Sequence, residues 1–137
     1  MADITVTATS VIAGTGATTI IDRGYNFGTT VTAGQAVYLS SSNTWLLSDS
    51  DGAAAARACN GIALNGGATG QPAAVQTSGS ITIGGTVVSG TPYFVSNTAG
   101  GICVLGDLGS ADTVIYIGVA TSTTVIALQI HNPGAVI

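Results

Sequence analysis

The chain has no lysine and no glutamate. Its 137 residues carry six aspartates and two arginines, Arg23 and Arg57, for a formal net charge of -4. So few cations cannot neutralise a run of phosphates, so nucleic-acid binding is not expected, and an anionic membrane surface is disfavoured for the same reason. A phosphate-cradling P-loop requires a lysine that is not there. Histidine occurs once, as His131, and the G-x-S-x-G setting of a serine nucleophile is missing, so no enzyme is expected. Long apolar runs are missing as well: VIYIGVA at 114–120 is far below the roughly 18 residues that span a bilayer. The opening MADITVTATS has an aspartate at position 3 and no basic segment, so no signal peptide is expected and the protein should accumulate in the cytoplasm where it is made. There Cys59 and Cys103 stay reduced. Their wide separation outlines neither a disulfide framework nor a zinc site, and no cofactor is implied.

What the chain does have is alternation. In ITVTA, Ile4, Val6 and Ala8 fall on one face and Thr5 and Thr7 on the other, which predicts a half-buried strand. TVIALQIH at 124–131 repeats the pattern, with Ile126, Leu128 and Ile130 toward the core. Gly, Asn, Ser and Pro clusters punctuate such runs at the spacing of sandwiches and barrels. Thr, Val and Ile are abundant, and their branched Cβ atoms favour pleated surfaces. The fold class is therefore all-β, a compact β-barrel or β-sandwich.

An internal repeat refines this reading. TVTAGQAVYLSSSNTWLLSD (30–49) is echoed by TVVSGTPYFVSNTAGGICVLGD (86–107), GIA (61–63) by GVA (118–120), and AVQ (74–76) by ALQ (127–129). Two pseudo-repeated halves, about 30–78 and 86–131, then form a domain over 29–137, preceded by an unrepeated, extended N-terminal arm, 1–28. In this register AAAARACNGIAL, alanine-rich and helix-prone by itself, matches a β-branched run. Residues 56–64 are expected as strand, with at most one helical turn at 52–55. Cys59 then corresponds to Tyr116 and is expected to be a buried, packed thiol. Arg57 is expected either to pair with Asp49 or Asp51 or to contact a neighbouring subunit.

The remaining motifs weigh against chemistry. GTGATT at 14–19 lacks the third glycine of a dinucleotide fingerprint and is expected as a loop. DSDG at 49–52 starts like a calcium loop but lacks its closing glutamate, so a polar turn is expected. Paired catalytic carboxylates would have to come from Asp49, Asp51, Asp107 and Asp112, and no spacing selects a pair. Most of Trp45, Tyr25, Tyr38, Tyr93, Tyr116, Phe27 and Phe94 are expected in the core. VIYIGVA is apolar on both faces, so it should be a central strand. Together with the low charge, this points to an oligomer, with a closed ring favoured.

MADITVTATSVIAGTGA, TVTAGQAVYLSSSN, GIALNGGATGQPAAVQTSGSITIGGTVVSGTPYFVSNTAGGI and GVATSTTVIALQIH together resemble tailed-bacteriophage capsid decoration (cement) proteins, over nearly the whole chain. The resemblance implies an all-β virion protein on the outer capsid surface, often a homotrimer, that stabilises the shell by bridging subunits of the major capsid protein. It supplies no catalytic residues. The arm is the expected capsid-binding element, adding a strand to a capsid sheet edge, with Asp22, Arg23, Tyr25 and Phe27 as contacts. Arg57 remains the candidate subunit contact. The alternative is a head-fibre or receptor-binding module whose loops, such as SSSNTW and SNTAGG, recognise a bacterial surface glycan, with Trp45 as the first residue to test.

Overall fold

The structure is a computed structural model and describes residues 3–137. Its strands are β1 (Val11–Ile12), β2 (Ile20–Asp22), β3 (Asn26–Phe27), β4 (Ala36–Leu39), β5 (Thr44–Leu47), β6 (Gly61–Ala63), β7 (Val75–Ile83), β8 (Pro92–Val95), β9 (Ile102–Cys103), β10 (Tyr116–Ala120) and β11 (Val125–His131). They pair in the order β3-β5-β4-β6-β7-β11-β10-β8-β9, and β1 and β2 also pair with β7. The fold is mostly β, but the sheet is open: β3 and β9 are its ends and do not pair with each other, so no closed barrel forms. The sheet nevertheless curls, with backbone of β4 and the loop after β5 bonding the loop after β8. Ala36 N–H donates to the Gly100 carbonyl at 3.0 Å, Gly100 N–H to Ser48 at 2.7 Å, and Ser50 N–H to Ser96 at 3.1 Å.

The main core gathers Ala36 and Ile62 with Ile81, Ile83, Tyr93, Val95, Ile102, Ile115, Ile117, Ile126 and Leu128. A second core holds Phe27, Val31, Val37, Trp45, Ala63, Ala73 and Val75. A small third cluster lies where Phe94, Cys103 and Leu108 meet Val114 and Tyr116, with the Phe94 and Tyr116 rings edge-on at 5.6 Å. VIYIGVA is central as expected, since β10 pairs with both β11 and β8.

Three ladders recur in matching register. Ala36 and Val37 face Ile62 and Gly61, as Pro92 and Tyr93 face Val119 and Gly118. Tyr38 and Leu39 face Leu46 and Trp45, as Phe94 and Val95 face Cys103 and Ile102. Ile62 and Ala63 face Gln76 and Val75, as Val119 and Ala120 face Ala127 and Ile126. The turns entering β4 and β8 also agree. Gly34 (φ +91°) donates to Ala63 and Gly90 (φ +83°) to Ala120, both in the left-handed region that glycine occupies without a Cβ clash.

Two local expectations are corrected. The stretch 56–64 is not a single strand: a 3₁₀ turn spans Ala54–Ala56, and β6 begins only at Gly61. In between, a side-chain amide takes the backbone of Cys59, and Asn60 bonds β4 through its N–H to Val37 and through its side chain. Asn132 bonds both the N–H and the carbonyl of Cys59, and Asn60 Oδ1 accepts from Leu39 N–H. At ITVTA the predicted alternation holds for the first four residues, with Ile4 and Val6 half-buried and Thr5 and Thr7 exposed, but Ala8 is exposed and no strand ladder forms. The segment is tied down by separate bonds, among them Ile4 N–H to Ile102 and Thr7 N–H to Gly84. The arm is therefore built into the body, with β1 and β2 on β7 and β3 parallel to β5.

Candidate interaction surface

The β2–β3 turn carries three of the four residues expected to touch a partner. Asp22 Oδ1 accepts from Gly24 N–H at 2.9 Å and fixes the turn, which leaves Arg23 exposed and Tyr25 37% exposed at its tip. Phe27 differs. Its side chain is 0% exposed in the second core, so it anchors the turn from below and offers nothing to a partner. Arg57 lies apart from this turn in the sheet order, beside the Ala54–Ala56 turn, with its Nε donating to the Gly52 carbonyl at 2.8 Å. That bond closes the DSDG turn on itself, where an ion pair with Asp49 or Asp51 was one expectation.

Ile12 and Ile20, 61% and 60% exposed, were not singled out from the sequence. The signal was present, because Val11–Ile12 and Ile20–Ile21 are adjacent aliphatic pairs on strands, and neighbours on a strand point to opposite faces. On a strand that the body covers on one face only, one member of each pair faces outward. Val11 and Ile21 are half-buried, so Ile12 and Ile20 are the outward members, both on strands that flank β7.

Gln76 shapes this region from inside. Although fully buried, it accepts from Gly14 N–H at 3.0 Å and donates through Nε2 to the carbonyls of Ser78 and Ser80 at 3.1 and 2.9 Å. It thereby satisfies backbone groups freed where β7 bends at Gly79 (φ +88°). GTGATT is a loop, as expected, with its Gly14 so close to the Ser80 carbonyl that an added Cβ would lie 2.0 Å away.

The acidic residues are held by turn chemistry. Asp112 Oδ2 accepts from Gly109 N–H at 2.7 Å and from Asn97 Nδ2 at 3.2 Å, and Asp3 accepts from the Ser96 hydroxyl. Burial, reinforced by neighbouring Asp51 and Asp112, raises the Asp49 carboxyl above its ordinary value. DSDG is a polar turn, and among the described residues no group of three His, Cys, Asp or Glu is placed to hold a metal. Cys59 is fully buried, and desolvation pushes its thiol to about 11. Burial, followed by the charges of Asp3, Asp107 and Asp112, pushes Cys103 to about 12. Such thiols are packing groups and poor nucleophiles.

The glycan alternative loses its proposed anchor, because Trp45 is 2% exposed and packed in the second core. His131 is exposed at the end of β11. Among the described residues no helix is long and apolar enough to cross a membrane. No family model matches the sequence, and neither a curated protein nor a solved structure matches it.

Proposed function

We propose that this chain is a structural virion protein, a homo-oligomer (a trimer is favoured) that binds the outer surface of a phage capsid and stabilises it by bridging major capsid protein subunits. The sequence resemblance suggests the reading. The observation that carries it structurally is the surface around β1, β2 and the β2–β3 turn. There Ile12 and Ile20 stand exposed on strands flanking β7, while Arg23 and Tyr25 occupy the turn tip that follows β2. Exposed aliphatics on both edges of β7, with an aromatic and an arginine on the turn after β2, match the composition of protein interfaces. The contact set is therefore Ile12, Ile20, Asp22, Arg23 and Tyr25. Arg57 stays a candidate subunit contact, since it is exposed and bonds only its own turn through Nε.

The matching ladder registers support a body made of two repeated halves, with the arm as the unrepeated addition. A duplicated, backbone-tied β body suits a load-bearing role. The test is sedimentation of the purified protein with expanded capsids that lack it. Saturable binding at a fixed ratio to the major capsid protein, with a raised capsid melting temperature, is expected; binding of none or only a few copies rejects the proposal.

A further inference from the structure

Residues 3–12 finish a sheet edge that the neighbouring sequence leaves open. In the first strand set, the edge of β5 is covered by residues that run straight on toward β4. Asn26 and Phe27 pair with Thr44 and Trp45, and Gly28 N–H donates to the Trp45 carbonyl at 2.9 Å. In the second set Ile102 faces Val95 as Trp45 faces Leu39, and its carbonyl is taken in the same way, by Ile4 N–H at 2.9 Å. The residues leading into β8 cannot do this, because they come directly off β7, which ends at Ile83. The covering segment comes instead from the far end of the chain.

Its fit is specific. Ile4, Val6 and Val11 pack against the main core, Asp3 accepts from Ser96, and Thr7 N–H donates to Gly84 at 2.8 Å. Val6 occupies the space that a Cβ on Gly34 would take, 2.3 Å from its Cγ1. The segment is joined to the body by AGTGATT, 13–19, which is pinned at Gly14 by Gln76 and at Thr18 by the Ser78 hydroxyl, while Thr15, Gly16 and Ala17 between them are exposed and Gly16 has nothing within 4 Å of its Cβ position. With both pins released, seven extended residues reach about 23–25 Å.

We propose that residues 3–12, an extended stretch, a 3₁₀ turn at Ala8–Ser10 and β1, are an exchangeable strand-like segment, seated in the equivalent groove of a second copy of this chain when copies assemble. The proposal rests on the oligomer in the reading above and gives its mechanism. Groove and strand recognise each other through backbone bonds at Ile102 and Gly84 and core places for Ile4, Val6 and Val11, which are the same whichever copy supplies the strand. One strand and one groove per chain make a head-to-tail contact, which closes into a ring when the rotation permits. The chain's own strand competes at an effective concentration of roughly millimolar for a short flexible linker. Exchange therefore takes over where copies are crowded together, as on a lattice.

The test uses two chains, one with Asp3→Cys and one with Ser96→Cys, each also carrying Cys59→Ala and Cys103→Ala. They are unfolded together, refolded at high concentration and oxidised. A disulfide-linked product containing one of each chain is expected, and mixed chains that stay unlinked, while the doubly substituted chain closes its bond within a monomer, overturn the proposal. A second measurement needs no cysteine: deleting residues 15–17 from the native chain is expected to give a folded oligomer and no monomer, and a folded monomer overturns the exchange. Capsid binding retained without exchange sinks only this inference, whereas exchange without capsid binding sinks only the capsid reading.

Discussion

Asn132 clasps the backbone of Cys59 at both ends of one residue: its Oδ1 accepts from the Cys59 N–H, and its Nδ2 donates to the Cys59 carbonyl, each at 2.9 Å. A side-chain amide thus stands in for a neighbouring strand just before β6. Asn132→Ala removes both bonds and should cost about 1–3 kcal/mol. Asn132→Asp should cost more, because it turns a carboxylate oxygen toward the Cys59 carbonyl. Urea unfolding of the three chains checks the order; an alanine variant as stable as the parent removes the clasp from the account.

The buried thiols predict an alkaline weakness. In the folded chain Cys59 titrates at about 11 and Cys103 at about 12, against an ordinary 9.0. Between these values the unfolded chain has lost protons that the folded chain retains, so stability is full below about pH 9 and falls as pH rises toward 11 and 12. Cys59 alone should account for about 2–3 kcal/mol of that loss. Melting temperatures from pH 7 to 11 should drop less steeply for Cys59→Ala; equal slopes would refute the assignment.

Gly61 and Gly118 hold the same ladder position on β6 and β10, and both are pressed against a neighbouring strand. A Cβ at Gly118 would lie 2.1 Å from the Ala127 carbonyl, and one at Gly61 would lie 2.4 Å from Val75 Cγ1. Neither has a positive φ, so contact is the constraint and conformation is not. Alanine at either should cost about 2–3 kcal/mol or more through overpacking. Gly16→Ala, with nothing near its Cβ position, should be close to neutral. Thermal unfolding of the three variants decides, and a tolerant Gly118→Ala would mean that β10 and β11 sit further apart.

Much of the fold was legible because burial follows period two. Ile126 and Leu128 are buried and Gln129 exposed, as TVIALQIH requires, and Ile115 and Ile117 place VIYIGVA in the centre. What escaped was chemistry that competes with strand pairing. The Asn132 clasp acts on Cys59 across 73 residues, so no local pattern reveals it. AVQ and ALQ look equivalent as letters, yet the ladder puts Ala127 opposite Val119 in the place Gln76 holds opposite Ile62. Gln76 is buried to serve the bend at Gly79, while Gln129 is solvated. At the candidate surface Arg23 and Tyr25, named from the sequence as contacts, are exposed. Phe27 was not separable from them, because alternation does not say which face of a two-residue strand the body will cover.

Trp45 is the chain's single tryptophan and is buried with no hydrogen-bond partner on Nε1. Its fluorescence should be blue-shifted and resist aqueous quenchers. Trp45→Ala should unfold or destabilise the chain by about 3–5 kcal/mol. Any glycan binding lost in that variant would then reflect unfolding; binding by a folded chain whose tryptophan is quenched by the sugar would restore the stacking role.

Deleting the arm is the wrong test of the capsid surface, because Ile4, Val6 and Val11 belong to the main core and their loss would destabilise the body. Ile12 and Ile20 avoid this confusion, since their side chains are largely solvated in the isolated chain. Ile12→Asp and Ile20→Asp should leave the melting temperature nearly unchanged, as surface substitutions usually do. In a closed interface each would bury an unpaired carboxylate and should weaken capsid binding at least tenfold, equivalent to about 1.4 kcal/mol. Arg23→Ala and Tyr25→Ala should weaken it in the same assay, and Phe27→Ala should act on stability first. Co-sedimentation with capsids, read beside thermal unfolding, separates the two effects. Full affinity in both aspartate variants would move the contact away from β1 and β2, and the Arg57 side of the molecule would become the next surface to test.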